Sequence, residues 1–206
     1  MSAPPTMTVV TSPVVAVGTF RPLTMPGHSP PAVGLEAPFE MLAACHERVE
    51  RMLALQAKLQ QHLRDKGCDE SARQAARDVM RYFDMAALLH HQDEELHVFP
   101  PLLAGLDATL RELAERLIND HRQMEAAWIP ARSVLQAIAD SRPDADWCAL
   151  TPAQADALNQ FAALYEQHLA DENGAAYPAA QAALPPEAVQ AMSEDMMQRR
   201  GVTPRS

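Results

Sequence analysis

Four segments of the 206-residue chain repeat apolar residues at spacings of three and four, the period of an α-helix with one buried face. Each segment also carries one histidine within its apolar stripe: His46, His90, His121 and His168. The chain has only 7 glycines and few β-branched residues, whereas Ala, Leu, Gln, Glu and Met are abundant. This pattern predicts an all-α protein.

Capping and breaking residues divide the chain into four long helices. The first helix is predicted to begin at Phe39 and to end at Gly67, and the second to begin at a cap, Asp69 or Ser71, and to end at Pro100. The third is predicted to begin after the cap Asp107 and to end near Ser141, and the fourth to begin after the cap Thr151 and to end at Pro178. Pro130 is expected to kink the third helix. A short further helix is expected over about 186–200, closed by Gly201. Short connections between long helices predict an antiparallel four-helix bundle over residues 38–201 with a short extra C-terminal helix.

The N-terminal segment and the overall charge bear on partners and location. Eight of the 17 prolines lie within residues 1–38, which predicts a disordered leader over residues 1–37. The net charge of -10 argues against a nucleic-acid partner, and no apolar run reaches the length of a membrane span. Three cysteines without metal-finger spacing, and no Lys or Arg in residues 1–20, predict a cytoplasmic protein without a signal peptide.

Histidines and glutamates together predict a metal site. Four imidazoles packed in a dry core would have to hydrogen-bond one another, a difficulty that a bound cation removes. Each histidine is followed four residues later by a glutamate, and side chains at this spacing share one helix face. The pairs are His46/Glu50, His90/Glu94, His121/Glu125 and His168/Glu172.

Two of these pairs belong to an internal repeat. Glu94 is followed by Phe99-Pro100 and Glu172 by Tyr177-Pro178 at the same offsets. A rival pair, His91/Glu95, has no counterpart in the second copy, where Leu169 and Asn173 stand. We therefore predict His90 and Glu94 as ligands and expect three neighbours to lie around the site or at the surface: His91, Glu95 and His97.

The segment from His90 to Pro100, with Asp120-His121 and His168-x3-Glu172, resembles the hemerythrin-like HHE cation-binding domain. The resemblance covers about residues 39–178 and implies a four-helix bundle holding a non-haem diiron centre. It implies that the imidazole ligands are His46, His90, His121 and His168, and that Glu94 and Glu172 bridge the two irons. Oxygen-carrying hemerythrins have a second ligating histidine where Glu125 stands. This departure favours the broader HHE group and leaves open whether Glu125 coordinates.

Two other metal sites fit the sequence less well. A ferritin-like diiron bundle uses two Glu-x-x-His motifs, whereas this chain has one, Glu94-x-x-His97. A zinc-protease helix needs His-Glu-x-x-His, and the corresponding segment from His46 ends in Glu50.

A diiron centre of this composition leaves room for a small ligand. Two irons offer about twelve coordination positions, of which four histidines and two bridging glutamates fill about eight and a bridging oxygen species about two. The open positions suit dioxygen, nitric oxide or peroxide. Three hypotheses follow. The favoured one is a non-enzymatic sensor, store or scavenger of oxygen or nitric oxide. The second is a redox enzyme for peroxide consumption or iron–sulfur cluster repair, and the third is a helical bundle whose histidines bind nothing. The protein partner that a sensor would need is not identified by the sequence.

Overall fold

The computed structural model describes residues 37–142 and 149–202, and over these residues the chain is all-helical. The predicted leader, apart from Ala37, lies outside the described residues. The α-helices are α1 (Pro38–Lys66), α2 (Glu70–Asp93), α3 (Phe99–Ala104), α4 (Ala108–Ala139), α5 (Pro152–Ala163), α6 (Tyr165–Asp171), α7 (Tyr177–Ala183) and α8 (Pro186–Arg199). Two π-helical turns, Glu94–Val98 and Glu172–Ala176, join α2 to α3 and α6 to α7.

The predicted helix starts are confirmed by the cap geometry. The Asp69 carboxylate accepts a hydrogen bond from the Ala72 amide at 2.9 Å, and the Asp107 carboxylate accepts from the first turn of α4. Thr151 and Gln154 form the reciprocal capping box that opens α5. Gly67 follows the last residue of α1 with φ of 79°, a conformation that favours glycine.

The predicted ends at Pro100 and Pro178 are wrong, because the helical path continues through both prolines. Immediately before each proline, the aromatic residue donates its backbone N–H to the carbonyl five residues earlier: Phe99 to Glu94, and Tyr177 to Glu172. A proline ring clashes with the carbonyl four residues before it in a regular α-helix. The wider π turn relieves that clash, so the chain passes the proline without leaving the helical path. Pro130 likewise lies inside α4, which continues to Ala139.

A polar layer separates two apolar cores. The first core contains Leu59, Phe83, Leu135 and Phe161, and the second core contains residues such as Phe99. Along α1 the chain passes from the second core to the first, and along α2 and α3 it passes back. The same alternation is repeated by α4 and then by α5, α6 and α7. Every crossing between the cores brings a predicted metal-binding histidine to the same level.

The C-terminal helix α8 completes the second core. Met192 and Met196 are fully buried there against residues of α1, α3, α4 and α7. Charged contacts secure the end of α8: Arg199 and Arg200 both bind the buried carboxylate of Asp93, at 2.6 and 2.5 Å. Within the described ranges, none of the helices combines the length and apolar character of a membrane-spanning segment.

Candidate metal centre

The structure brings all six predicted ligands into the polar layer. His46, His90, His121 and His168 come from α1, α2, α4 and α6, and Glu94 and Glu172 open the two π turns. None of these side chains is more than 3 % exposed. None of the four histidines therefore points to solvent.

The six side chains form two groups that share one carboxylate. The first group contains His46, His90, Glu94 and Glu172, and the second contains His121, His168 and Glu172. Within each group the candidate ligand atoms lie within 4.8 Å of one another. Each group offers at least three nitrogen or oxygen donors, a set that suits a first-row transition metal.

Although only Glu172 belongs to both groups, each carboxylate directs one oxygen toward the histidines of either group. Oε2 of Glu172 lies 3.2 Å from Nε2 of His46, and Oε1 lies 3.1 Å from Nε2 of His168. Glu94 is arranged in the same way, with Oε1 3.3 Å from Nε2 of His90 and Oε2 3.5 Å from Nε2 of His121. Two glutamates in this arrangement can each bridge a pair of cations.

The residues present fit a bound cation because their buried polar atoms are otherwise unpaired. Within the described part of the chain, both ring nitrogens of His90, Nε2 of His121, Oε2 of Glu94 and both oxygens of Glu172 have no hydrogen-bond partner. Leaving one such buried group unpaired costs about 1–3 kcal/mol, and more for a charged group. Because these atoms converge, metal binding would satisfy them together, except for one ring nitrogen of His90, since an imidazole offers the centre a single nitrogen.

The two carboxylates have opposite protonation tendencies in the metal-free chain. Burial, reinforced by the charge of Glu172 beside it, raises the pKa of Glu94 to about 7. Burial also acts to raise the pKa of Glu172, but the imidazoles of His121, His168 and His46 outweigh it and hold this pKa well below its usual value. One carboxylate therefore stays ionised while the other takes up a proton near neutral pH.

The pKa values of His46 and His90 also shift in opposite directions in the metal-free chain. Burial acts to lower the pKa of His46, but the carboxylates of Glu172 and Glu94 outweigh it and raise this pKa to about 10. Burial and the neighbouring charge of His46 lower the pKa of His90 well below its usual value. A cation at this point would replace the proton of His46 and use the neutral ring of His90 directly.

Three further polar residues orient the candidate ligand histidines through their Nδ1 atoms. Nδ1 of His46 lies 3.0 Å from Oδ1 of Asn173, and Nδ1 of His121 lies 3.0 Å from Oε1 of Glu95. Nδ1 of His168 lies 3.5 Å from Oδ2 of Asp120. Hydrogen bonds of this kind leave Nε2 free to face a metal.

The internal repeat could have revealed two of these orienting residues. Glu95 directly follows Glu94, and Asn173 directly follows Glu172. Each therefore occupies the same place in its copy of the repeat and binds a histidine on another helix. In the sequence, Asn173 indicates only that the pair His91/Glu95 is not repeated, and its contact with His46 was not predicted. Tyr177 was also missed, although its hydroxyl reaches both His46 and Glu94.

The other two paired glutamates lie outside the centre. Glu50 is exposed, and Glu125 is 43 % exposed and pairs with Arg122 at 3.2 Å. In the structure Glu125 therefore points to solvent rather than to the six candidate ligands. His91 is buried and its ring stacks on His121 with centroids 3.9 Å apart, but it belongs to neither ligand group.

Comparisons with known proteins agree with the resemblance noted in the sequence. The family model for the hemerythrin HHE cation binding domain matches residues 37–180. The chain is also 30 % identical over 136 residues to an uncharacterised protein of Haemophilus influenzae, an alignment that covers 66 % of this chain and 74 % of that protein. The matched region contains all six buried candidate ligands and both π turns. The chain belongs to the hemerythrin HHE cation-binding domain family.

Proposed function

We propose that this protein holds two iron ions in a non-haem diiron centre and binds dioxygen or nitric oxide as a sensor, store or scavenger. The proposed ligands are His46, His90, Glu94, His121, His168 and Glu172. The observation that carries the proposal is the sharing of Glu172 between two buried ligand groups. A single metal would leave the second group of donors unpaired in a dry core.

The proposed arrangement of the helices follows from the alternating order of the two cores. Four helical paths that alternate in direction between the same two cores support an antiparallel four-helix bundle, with α8 added across one end. We propose residues 38–201 as the extent of this domain and a reducing cytoplasm as its location. Free thiols at Cys45 and Cys68 support that location.

In this proposal the protein's own residues bind, orient and exclude water. A diiron pair supplies reversible small-ligand binding and one-electron redox chemistry when bound. Asn173 and Glu95 hold two ligating rings in place, and the apolar cores on both sides keep bulk water out of the polar layer. A buried centre of this kind favours small uncharged ligands, because a charged ligand would lose its hydration on entry.

The test measures iron per chain in matched glutamate variants. Glu94→Gln and Glu172→Gln are expected to leave the chain nearly free of iron, because each removes a carboxylate that spans both ligand groups. Glu50→Gln and Glu125→Gln are the controls, since each also changes a glutamate four residues after a ligating histidine but at an exposed position. The chain is loaded with ferrous iron without oxygen, and iron is determined by elemental analysis.

Two outcomes would contradict the proposal. Equal iron in all four variants would place the metal elsewhere, and one iron in the unchanged chain would exclude a diiron centre. The bound ligand is then tested by titrating the reduced, iron-loaded chain with nitric oxide and with dioxygen. Rapid turnover of hydrogen peroxide without stable binding of either gas would instead favour the redox enzyme.

A further inference from the structure

Tyr177 places a phenol oxygen among the atoms of the first ligand group. Its hydroxyl donates a hydrogen bond to Oε1 of Glu94 and lies 2.8 Å from Nε2 of His46. The tyrosine ring also stacks on the His46 imidazole, with ring centroids 5.2 Å apart and an interplanar angle of 24°. Tyr177 is itself buried, so these contacts fix its hydroxyl within the polar layer.

When a metal displaces the proton of His46, the contacts of Tyr177 bring more lone pairs together than hydrogens. Because Oδ1 of Asn173 only accepts hydrogen bonds, Nδ1 of His46 keeps the ring hydrogen, and Nε2 of the now neutral ring is an acceptor. Oε1 of an ionised Glu94 is an acceptor as well. The single hydroxyl hydrogen of Tyr177 serves only one of these two atoms. A cation in contact with all three would satisfy them together.

The related half of the centre lacks this oxygen. Phe99 occupies the same place in the repeat, five residues after Glu94 as Tyr177 is five residues after Glu172. Its ring lies against His121, with centroids 5.6 Å apart, as the ring of Tyr177 lies against His46. The side chain of Phe99 carries no polar atom. The two ligand groups therefore differ by one buried oxygen.

We infer that the hydroxyl oxygen of Tyr177 is a seventh ligand, on the metal held by His46 and His90, and that the small ligand binds at the other metal, held by His121 and His168. This inference rests on the proposed diiron centre. It makes the two metal positions unequal and assigns the open position to one of them.

A surface crevice beside His121 supports the assignment of the open position. The crevice has a volume of about 170 Å³ and is lined by residues of α2, the first π turn and α4, among them Leu88, His91, Glu95 and Arg122. His91 stacks on His121, and Glu95 binds Nδ1 of the same ring. A small ligand that enters here meets the side of the centre that lacks the tyrosine.

The test uses the visible spectrum of the ferric chain. The full chain is loaded with ferrous iron without oxygen, oxidised in air, and examined by absorption and by resonance Raman spectroscopy. A phenolate bound to ferric iron gives a visible charge-transfer band and enhances the vibrations of the tyrosine ring. We expect both signals in the unchanged chain and their loss in Tyr177→Phe, with the iron content retained. Tyr165→Phe is the control, because Tyr165 is also buried but lies in the first apolar core.

The outcomes separate this inference from the proposed function. Two irons per chain without tyrosinate signals would overturn the inference and leave the diiron centre standing, and a chain that binds no iron would overturn both. Signals that persist in Tyr177→Phe, or that disappear in Tyr165→Phe, would also overturn it. Even if Tyr177→Phe fails to fold, the spectrum of the unchanged chain shows whether a tyrosine is bound to iron.

Azide titration tests the open position separately. We expect one azide per chain in the unchanged protein and two in Tyr177→Phe, because loss of the phenol opens a position on the second metal. Two azides in the unchanged chain would contradict the assignment of a single open metal.

Discussion

His90 and His91 are neighbours in the chain but have different surroundings. Nε2 of His90 lies 3.3 Å from Oε1 of Glu94 within the first ligand group, whereas the ring of His91 lies flat on His121 outside both groups. Successive residues of an α-helix differ by about 100° in direction, so both cannot face the same point. Burial of both rings therefore does not make both of them ligands.

This difference predicts opposite effects of two similar substitutions. His90→Ala is expected to lose iron, and His91→Ala to retain it, although both remove a buried imidazole. Iron per chain, measured after loading and gel filtration, distinguishes them, and circular dichroism confirms that each variant is folded. Full iron in His90→Ala together with loss in His91→Ala would move the predicted ligands by one residue.

Glu95 acts on the centre through His121 rather than by direct binding. Its Oε1 lies 3.0 Å from Nδ1 of His121, and its Oε2 accepts a hydrogen bond from Arg122 at 2.6 Å. Glu95→Ala is expected to weaken iron binding by about 10- to 100-fold, a typical effect of removing a group that orients a ligand. Glu125→Ala is the matched control, because Glu125 also pairs with Arg122 but does not touch His121. Affinity is measured by competition with a chelator, and equal affinities would show that Glu95 has no orienting role.

At the scale of elements, the two π turns decide which residues accompany the ligands. Closing a turn over five residues instead of four brings side chains five apart toward the same face. Phe99 therefore faces inward with Glu94, and Tyr177 with Glu172. In regular α-helices these aromatic rings would be turned away by more than a quarter of a circle. The prolines that follow them mark the π turns rather than the helix ends.

Helix α8 contributes stability through buried methionines. Met196 is fully buried in the second core, whereas Met85 on α2 is 65 % exposed. Met196→Ala is expected to lower the free energy of unfolding by about 2–5 kcal/mol, because it removes buried apolar surface and leaves a cavity. Met85→Ala is expected to change it by less than about 0.5 kcal/mol. Urea denaturation measures both values, and a small effect of Met196→Ala would show that α8 is not firmly packed.

At the scale of the whole molecule, the proposed iron ions would compete with protons for the same centre. Without metal, His46 is protonated below its pKa of about 10 and Glu94 below its pKa of about 7. Metal binding displaces both of these protons below pH 7, and the proton of His46 but not that of Glu94 between pH 7 and pH 10. Each displaced proton makes affinity rise by about tenfold per pH unit.

The expected result is a steep rise of iron affinity up to about pH 7 and a shallower rise above it. Isothermal titration calorimetry in buffers with different heats of ionisation counts the protons released when ferrous iron binds. We expect more protons per iron at pH 6 than at pH 8. An affinity that does not change between pH 6 and pH 9 would contradict these protonation states.

Metal removal is expected to destabilise the entire domain. In the proposed centre, iron would bind the folded chain through residues from α1, α2, α4 and α6, which lie far apart in an unfolded chain. At a free iron concentration of 100 times Kd, binding adds about 2.7 kcal/mol to the free energy of unfolding. Adding a chelator should therefore lower Tm by about 5–10 °C for a domain of this size. Glu172→Gln should show no such shift, and a shift of equal size in that variant would show that the chelator acts elsewhere.

The sequence by itself determined the helical class, the helix starts and the positions of the six buried ligand candidates. These features depend on local chemistry: Asp69, Asp107 and Thr151 cap the amides of their own helices, and an apolar stripe shows which histidine faces the core. The family could also be recognised from the sequence, because the repeated pairs His90/Glu94 and His168/Glu172 lie within short segments of the chain.

Only the tertiary structure decided which side chains meet across helices. Four glutamates follow the predicted ligand histidines at the same spacing, yet Glu94 and Glu172 point inward while Glu50 and Glu125 point outward. This choice depends on how each helix is rotated against its neighbours, which spacing along one helix does not contain. The contact of Tyr177 with His46 joins residues 131 positions apart, and the π turn that directs Tyr177 inward lies where the sequence predicted a helix end. Local sequence patterns depend on residues that are close in the chain, whereas packing between helices brings the residues of the polar layer together.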